Sequence, residues 1–552
     1  MALRLNHINE GIMVVRFLLR QTSSATTRTT RTATTAKKKI PCSFTKSSYS
    51  CREISSRSFT SSISTPKEVF WCGKVVFPDE TRPGSIVVDH STGTIESTHP
   101  GQTEQEAQEL AHEQNLKFTN LGSEMALSPG LIDVHVHISA IGREWEGYTT
   151  ATQAAAAGGI TTVINMPLNS IPATTTVENF QNEIKEAETS SLFANVGYWG
   201  GIVPSNVKDS TILQDIVETG ILGLKAFLSP LPPAAGFVAV SPEELEKAAK
   251  ICGLANKPIL VHSELMTEEE RDQALENSFA SISDKSSSAR EIYQAHVASR
   301  PAKWEQDAVR VVCGLTDRCH MHIVHLSDFG CLNFIAFAKA RQPSRLTVET
   351  CPHYLLFDSA HQAILLSDDS NQIDNRIKCF PPIRDQVNRE LLWSDGIASG
   401  LIDMIASDHS PCEPDMRSGD FQNVWGGLSG LQYQLLSTWS EASVRAYSLQ
   451  DMAKWWSQNP YERLLKASLS KSCKIGSIEK GYRADLCWWD PEHIGMPDDY
   501  QKEYHRWKGA SPYSTMSTMK GRVLGTWVTG EQVYDGEADE HKAAAGRLLL
   551  AG

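Results

Sequence analysis

The chain has 552 residues, of which 41% are hydrophobic and 21% charged, and its formal net charge at pH 7 is −13. A chain of this length is expected to form more than one domain and to bury a large core. The negative charge argues against nucleic acid or an anionic membrane as a partner, and no apolar stretch of about 20 residues predicts a transmembrane helix. The twelve cysteines lack Cys-x-x-Cys spacing, so we expect them to be reduced.

The first 66 residues differ in composition from the rest of the chain. They are rich in Ser, Thr and Ala, and they contain eleven Lys/Arg but only two Asp/Glu. The apolar run at residues 11–15 is interrupted by Arg16 and resumes as far as Leu19, which indicates a basic amphipathic helix rather than a secretory signal. Residues 1–66 therefore predict a transit peptide for mitochondrial import, with plastid import or a disordered extension as alternatives.

Short alternating segments near both ends of the chain predict β-structure. They lie at residues 69–72, 74–77 and 85–89, and again at 484–490 and 523–528. Neither group has enough strands for a stable sheet of its own, so we predict one small β-sandwich assembled from residues 67–128 and 475–540. Residues 541–552 would form a C-terminal tail.

The middle of the chain has a different rhythm, in which short apolar runs alternate with helical patterns. Strands are predicted at 131–137, 160–165, 193–199, 221–227, 258–262, 321–325, 345–349 and 402–408. Helices are predicted at 149–157, 177–188, 242–254 and 307–316. Eight such units predict an α/β fold, a TIM (β/α)8 barrel with insertions over residues 129–474.

Metal-capable side chains stand where five of the predicted strands end. The first strand carries a His-x-His pair, and because strand side chains alternate between faces, both imidazoles lie on one face. The predicted fourth, fifth, sixth and eighth strands each carry one metal-capable side chain at or near the end. Catalytic groups of TIM barrels collect at the carboxyl ends of the strands, so we predict a metal site formed by His135, His137, Lys225, His262, His325 and Asp408.

Lys225 requires a separate explanation, because an ammonium group has no lone pair and is expensive to bury in an apolar strand. Carboxylation by carbon dioxide would convert Lys225 into a carbamate anion with two oxygens that can bridge two metals. Four imidazoles, a carbamate and an aspartate suit two divalent ions, and the nitrogen-rich set favours Zn²⁺ over Mg²⁺ or Ca²⁺.

Several motifs together resemble one enzyme group between about residue 68 and residue 535. They are found at residues 130–137, 154–162, 223–227, 261–262, 325–327, 350–354, 381–384, 407–411 and 481–485. The resemblance is to the cyclic-amidohydrolase branch of the metal-dependent amidohydrolases, which includes dihydroorotases, hydantoinases and allantoinases. It implies that His135 and His137 hold the more buried metal, and that His262 and His325 hold the other. Lys225 would bridge the two metals, and Asp408 would bind the first one and act as the base.

Within this branch, residues 142–148, 165–170, 299–301 and 425–430 are most similar to allantoinases. Ser139 stands where a dihydroorotase is expected to have an arginine for the substrate carboxylate. Residues 138–141, however, depart from the aromatic and Asn-Glu-Pro pattern that is usual in allantoinases. The resemblance implies hydrolysis of the cyclic amide of allantoin to allantoate, in which Asp408 takes a proton from water and passes it to the leaving nitrogen. It also implies a homo-oligomer, either a dimer or a tetramer.

The substrate pocket is predicted to be lined by Asn165, Phe227, Ser229 and the loop at residues 379–382, which includes Cys379 and Pro381. The sequence predicts supporting roles for His353 and His409, and it predicts that His322 points away from the metals, because it lies three residues before His325 on a strand. Two alternatives remain open: a hydantoinase or dihydropyrimidinase acting on another ring, and a non-catalytic scaffold. Scaffold relatives tend to lose metal ligands, whereas all six are present here.

Overall fold

The computed structural model of the protein describes residues 66–282, 287–360, 373–496, 499, 501–516 and 518–552. The predicted transit peptide, apart from its last residue, lies outside the described residues. Within the described part of the chain, no helix is both long enough and apolar enough to cross a membrane.

Strands and helices alternate along the described chain. The strands are β1 Lys67–Val76, β2 Thr81–Asp89, β3 Thr94–Pro100, β4 Lys117–Asn120, β5 Ala126–Pro129, β6 Leu131–Val136, β7 Ile160–Asn165, β8 Asn195–Gly201, β9 Gly223–Phe227, β10 Ile259–His262, β11 Met321–Ile323, β12 Leu346–Thr350, β13 Met404–Ile405, β14 Leu486–Gly495, β15 Met519–Val528, β16 Glu531–Asp535 and β17 Glu540–His541. The α-helices are α1 Glu104–Glu113, α2 Tyr148–Ala157, α3 Val177–Glu188, α4 Pro204–Lys208, α5 Ser210–Val217, α6 Pro242–Leu254, α7 Glu268–Phe279, α8 Ala289–Ala298, α9 Ala302–Gly314, α10 Leu332–Arg341, α11 Pro352–Leu356, α12 Gln386–Leu391, α13 Gln434–Val444 and α14 Leu449–Ala453.

Strands β6 to β13 form a parallel sheet in which each strand pairs with the next one along the chain. The first and last strands meet through a parallel bridge between Val136 and His409, and the backbone N–H of His137 donates to the His409 carbonyl at 2.8 Å. This contact closes the sheet, so the predicted (β/α)8 barrel is confirmed. All of the predicted strand positions fall on or beside strands β6 to β13.

The helices around the barrel follow from local sequence signals. At the start of α6, Ser241 accepts a hydrogen bond from the backbone N–H of Glu244, and the Glu244 side chain returns one in a capping box. Pro242 occupies the first turn, where its missing N–H has no consequence. Helices α3 and α6 have the predicted bounds, whereas the helix predicted at 307–316 begins earlier, at Ala302.

A second, mixed sheet of nine strands has the order β17-β16-β15-β14-β5-β1-β2-β3, with β4 paired to β1. Strand β5 pairs with β1 on one side and with β14 on the other, so both ends of the chain share this sheet as predicted. The two strands predicted at 69–72 and 74–77 are one continuous strand, β1. An irregularity between Cys72 and Val75 bends β1 without ending its pairing with β2.

The last residues of the chain attach to the barrel. The backbone N–H of Val196 in β8 donates to the Arg547 carbonyl at 2.9 Å, and the N–H of Leu549 donates to the Val196 carbonyl at 2.8 Å. The Leu549 side chain is buried in a hydrophobic cluster that also contains Trp199. Val196 lies near the start of β8, so this segment is held at the opposite end of the barrel from the strand carboxyl ends.

Candidate metal centre

The six predicted ligands converge on one cavity at the carboxyl ends of the barrel strands. The cavity has a volume of about 770 Å³, and all six side chains line it. The residues are placed there by position: His135 is in β6, Lys225 is in β9, and His262 is the last residue of β10. His325 lies two residues after the end of β11, and Asp408 lies three residues after the end of β13.

The first cluster in the cavity joins the His-x-His pair to Asp408. The Asp408 Oδ1 lies 3.0 Å from the Nε2 of His135 and 3.4 Å from the Nε2 of His137. Possible ligand atoms of all three residues lie within 4.8 Å of one another. Two imidazole nitrogens and a carboxylate oxygen at this spacing could hold one divalent ion.

The second cluster consists of His262 and His325. The Nδ1 of His262 lies 2.9 Å from the Nε2 of His325, so the two rings direct nitrogen atoms toward the same point. The ring centroids of His135 and His325 are 5.5 Å apart. The two clusters are therefore neighbours in one site, which is the arrangement that two nearby ions need.

Lys225 lies beside these clusters, with its Nζ 4.9 Å from the centre of the Phe227 ring. Its side chain is fully buried, and within the described part of the chain its Nζ has no hydrogen-bond partner. Burial lowers the pKa of the Lys225 amine to about 8, against the opposing charge of Asp408. A buried amine with a depressed pKa is partly neutral near pH 8, and the neutral amine is the form that reacts with carbon dioxide.

The electrostatics of the site favour lone pairs on three of the four imidazoles and a charge on the aspartate. At His135, burial acts to lower the pKa, but the charges of Asp408 and Glu349 outweigh it and raise that pKa. Burial lowers the pKa of His137 to about 4, and it also lowers the pKa of His262 and His325. Burial alone would raise the pKa of Asp408, but His135 and His137 hold it well below its ordinary value. Neutral imidazoles and an ionised carboxylate are the forms that bind divalent metals.

Two of the site residues have strained backbones. The φ angle is +39° at His325 and +48° at Asp408, in the left-handed region that costs non-glycine residues on the order of 1–3 kcal/mol each. Both residues stand where the chain leaves a strand. The distorted backbone directs both side chains into the cavity, and such strain is found most often at functional sites.

Two buried carboxylates that the sequence did not single out support the imidazoles. The Oε1 of Glu349 lies 2.6 Å from the Nδ1 of His135, and the Oε2 of Glu264 lies 2.9 Å from the Nε2 of His262. A carboxylate on one ring nitrogen fixes the tautomer and leaves the other nitrogen for a metal. Glu264 follows His262 by two residues, so its proximity could have been expected, whereas Glu349 comes from a different strand.

The predicted direction of His322 is wrong. Its Nε2 lies 2.9 Å from the Oε2 of Glu349, the same carboxylate that contacts His135, so His322 faces the barrel interior. Strand β11 ends at Ile323, and the left-handed backbone at His325 breaks the alternation on which the prediction depended. His322 does not line the cavity.

His353 and His409, for which supporting roles were predicted, also lie off the cavity wall. The Nδ1 of His409 is 3.1 Å from the backbone N–H of Gly430, and its Nε2 is 3.4 Å from Glu146. His353 is buried, and neither of its ring nitrogens has a hydrogen-bond partner among the described residues. Their predicted supporting roles remain predictions.

The predicted substrate contacts divide into two groups. Phe227, Ser229 and Cys379 line the cavity. Asn165 and Pro381 do not: the Asn165 Oδ1 accepts a hydrogen bond from the backbone N–H of Ile138 at 3.0 Å, and the Pro381 carbonyl accepts one from Tyr354 at 2.7 Å. These groups are engaged in holding the loops together.

The cavity wall also includes Asn169, which sequence reasoning missed, and Phe380, which belongs to the predicted loop at residues 379–382. Asn169, four residues after Asn165, lines the cavity with its Nδ2 at 3.4 Å from the Nδ1 of His137. Phe380, beside Pro381, lines it as well. The expectation that functional residues lie at the carboxyl ends of strands identifies residues of the strands themselves. Asn169 and Phe380 lie in loops, where no regular spacing identifies them.

Comparison with known proteins agrees with this geometry. The model of the Amidohydrolase family matches residues 126–533, so the chain belongs to the amidohydrolase family. In fold, it is similar to the L-hydantoinase (dihydropyrimidinase) from Arthrobacter aurescens, with a TM-score of 0.73 and 22% identity over 88% of this chain and 99% of that chain.

Two relatives are more similar in sequence. The allantoinase of Arabidopsis thaliana is 37% identical over 442 residues, which is 78% of this chain and 81% of that protein. The mitochondrial allantoinase of Aquarana catesbeiana is 36% identical over 372 residues, which is 66% of this chain and 69% of that protein. The resemblance found in the sequence is therefore confirmed.

Proposed function

We propose that this protein is a metal-dependent allantoinase that opens the cyclic amide of allantoin to give allantoate. The observation that carries the proposal is the convergence of four imidazoles, a buried amine and a carboxylate on one cavity. Relatives named as allantoinases support the choice of substrate. The presence of all six side chains argues against a scaffold that has lost its chemistry.

The side chains fit two divalent ions, for which we propose Zn²⁺. The first would be held by His135, His137 and Asp408, and the second by His262 and His325. The orphaned amine of Lys225 would bridge them as a carbamate, which forms a nitrogen–carbon bond to carbon dioxide and releases one proton. When bound, such ions polarise a carbonyl and lower the pKa of water.

Asp408 moves the proton in the proposed reaction. Its carboxylate is ionised and sits between the two histidines of the first cluster, so it can accept a proton from the attacking water. It then delivers that proton to the ring nitrogen, which cannot leave as an anion at neutral pH. Phe227, which is buried, and Phe380, which is half-buried, line the cavity and reduce the access of bulk water to the opened amide.

A substrate panel on metal-quantified protein tests the proposal. We expect hydrolysis of allantoin to exceed that of hydantoin, dihydrouracil and dihydroorotate, with two divalent ions per chain. If the protein prefers another ring, that ring is the substrate in place of allantoin. If the metal-loaded protein hydrolyses none of them, the proposed enzymatic activity is refuted.

The carbamate is tested separately by Lys225→Ala. We expect no activity from this variant and partial rescue by acetate or propionate, because a small carboxylate can occupy the space that the carbamate would fill. Full activity of the variant without an added acid would refute the carbamate.

We also propose that residues 1–66 direct mitochondrial import and that the protein forms a homo-oligomer, a dimer or a tetramer. The mitochondrial allantoinase of Aquarana catesbeiana supports the first proposal. Import of a fluorescent protein fused to residues 1–66 tests it, and delivery to plastids or diffuse fluorescence would contradict it. Light scattering of the purified protein gives the oligomeric state, and a monomer would contradict the second proposal.

A further inference from the structure

A buried arginine lies on the cavity wall beside the second histidine pair. Arg300 follows helix α8 and lines the cavity, although only 7% of its surface is exposed. Its Nη2 donates to the Oε2 of Glu264 at 2.9 Å, and the same oxygen lies 2.9 Å from the Nε2 of His262. The carboxylate of Glu264 therefore links the guanidinium to His262, a proposed metal ligand.

The guanidinium retains unused hydrogen-bonding capacity. Its carbon lies 4.5 Å from the centre of the Phe380 ring, so the aromatic ring occupies one side of it. Among the described residues, nothing accepts a hydrogen bond from its Nε. A guanidinium has five N–H donors in a fixed plane, and a buried donor without an acceptor is unfavourable. A ligand with an acceptor oxygen would relieve this deficit.

The charges around Arg300 indicate which acceptor fits. Its positive charge is already balanced by Glu264, whose Oε2 accepts a hydrogen bond from the Arg300 Nη2 at 2.9 Å. Lys378, another buried cation on the wall, donates to the backbone carbonyls of Phe421, Gln422 and Val424. Lys225, the third, belongs to the proposed metal site. At Arg300, a carboxylate ligand would add a second negative charge beside a cation that Glu264 already neutralises, whereas a neutral carbonyl would not.

We propose that Arg300 determines substrate specificity by donating hydrogen bonds to the carbonyl oxygen of the ureido substituent on the substrate ring. This inference rests on the proposed function, because it assigns the part of allantoin that lies outside the cleaved ring. Glu264 and Phe380 hold the guanidinium flat and in place. Neutral rings with a ureido group are selected over rings without one, and over rings with a carboxylate.

The test compares two ligands that differ only in the ureido group. Allantoin carries it and hydantoin does not, so kcat/KM for allantoin and the inhibition constant of hydantoin are measured in the wild type and in Arg300→Lys. Lysine keeps the positive charge next to Glu264 but loses the planar fork. We expect kcat/KM for allantoin to fall roughly ten- to hundredfold, while hydantoin inhibition and metal content stay close to the wild-type values.

Arg389→Lys is the control. The Arg389 side chain is largely buried and faces a carboxylate, with its Nη1 at 2.9 Å from Asp358, but it does not line the cavity. We expect this variant to leave the ratio of the two constants unchanged. Glu264→Gln should weaken both ligands together, because it acts through His262.

Three outcomes would overturn the assignment. If Arg300→Lys weakens allantoin and hydantoin equally, Arg300 is a positioning residue that acts through Glu264. If neither constant changes, it makes no contact with substrate. If Arg300→Lys fails to fold, Arg300→Met is measured by the same two constants, and an unchanged ratio there counts against the proposal. These outcomes differ from a failure of the proposed function, in which the wild type itself would not hydrolyse allantoin.

Discussion

The Lys225 amine, which has no hydrogen-bond partner among the described residues, leads to a prediction about stability that does not depend on measuring activity. Burial lowers the pKa of Lys225 from 10.5 to about 8, which corresponds to about 3 kcal/mol of unfavourable free energy for the ammonium form in the folded protein. Methionine has a similar length and no charge. We therefore expect Lys225→Met, compared with metal-free wild type in bicarbonate-depleted buffer, to be more stable by up to about 3 kcal/mol at pH 7.

The pH dependence has a defined sign. The unfolded chain keeps the Lys225 proton up to about pH 10.4, whereas the folded chain releases it near pH 8. The wild type therefore gains stability as the pH rises between these values, and the advantage of Lys225→Met shrinks. Urea midpoints followed by tryptophan fluorescence at pH 7 and at pH 10 measure this difference.

Lys257 provides the matched control. Burial also lowers its pKa to about 8, but its Nζ donates to the Ile221 carbonyl at 2.7 Å. Lys257→Met should therefore gain clearly less stability at pH 7 than Lys225→Met, because it leaves a buried carbonyl unpaired at a cost of about 1–3 kcal/mol. The reasoning about Lys225 would be refuted if Lys225→Met were less stable than the wild type at pH 7, or if its advantage were the same at pH 7 and pH 10.

Three further predictions follow from contacts in and away from the cavity. Asp408→Asn should lower kcat by about 10²- to 10⁴-fold with an unchanged circular dichroism spectrum, and retained activity would remove Asp408 as the base. Glu349→Gln should weaken metal affinity by about 10- to 100-fold, measured by competition with a chromogenic chelator, because it loosens His135; unchanged affinity would contradict this. Glu68 lies 3.1 Å from His90, and the pair lowers the pKa of Glu68 and raises that of His90. The lowered pKa of Glu68 contributes stability above pH 4.5, and the raised pKa of His90 contributes stability below pH 6.5. The melting temperature of Glu68→Gln should therefore differ most from that of the wild type between these two pH values. A constant difference from pH 4 to pH 9 would contradict the pairing.

Much of the fold was predictable because each strand and helix carries a local signal. The apolar β-branched run that forms β7 has the predicted bounds, and α6 follows its Ser241 cap and Pro242. The C-terminal strands joined the same sheet as the N-terminal ones because neither set could bury its apolar face alone. The division of β1 into two strands was wrong, because an irregularity in a strand has the same sequence appearance as a turn.

The candidate site was predictable only in part, for a physical reason. Strand ends can be located in a sequence, and the six metal-capable residues follow from them. The left-handed backbones of His325 and Asp408 cannot be read from the sequence, and the first of these reversed the direction expected for His322. Glu349 and Arg300 gain their importance from partners that are distant in the chain, so no local spacing reveals them.

Strand β5 sits between β1, from the beginning of the chain, and β14, from near its end. During synthesis on the ribosome, β5 emerges early. The edge that pairs with β14 stays unpaired until almost the entire polypeptide has been made. An open strand edge is a template for aggregation. A premature stop codon before β14 should therefore yield insoluble protein that depends on chaperones, even though every barrel strand would already have been translated.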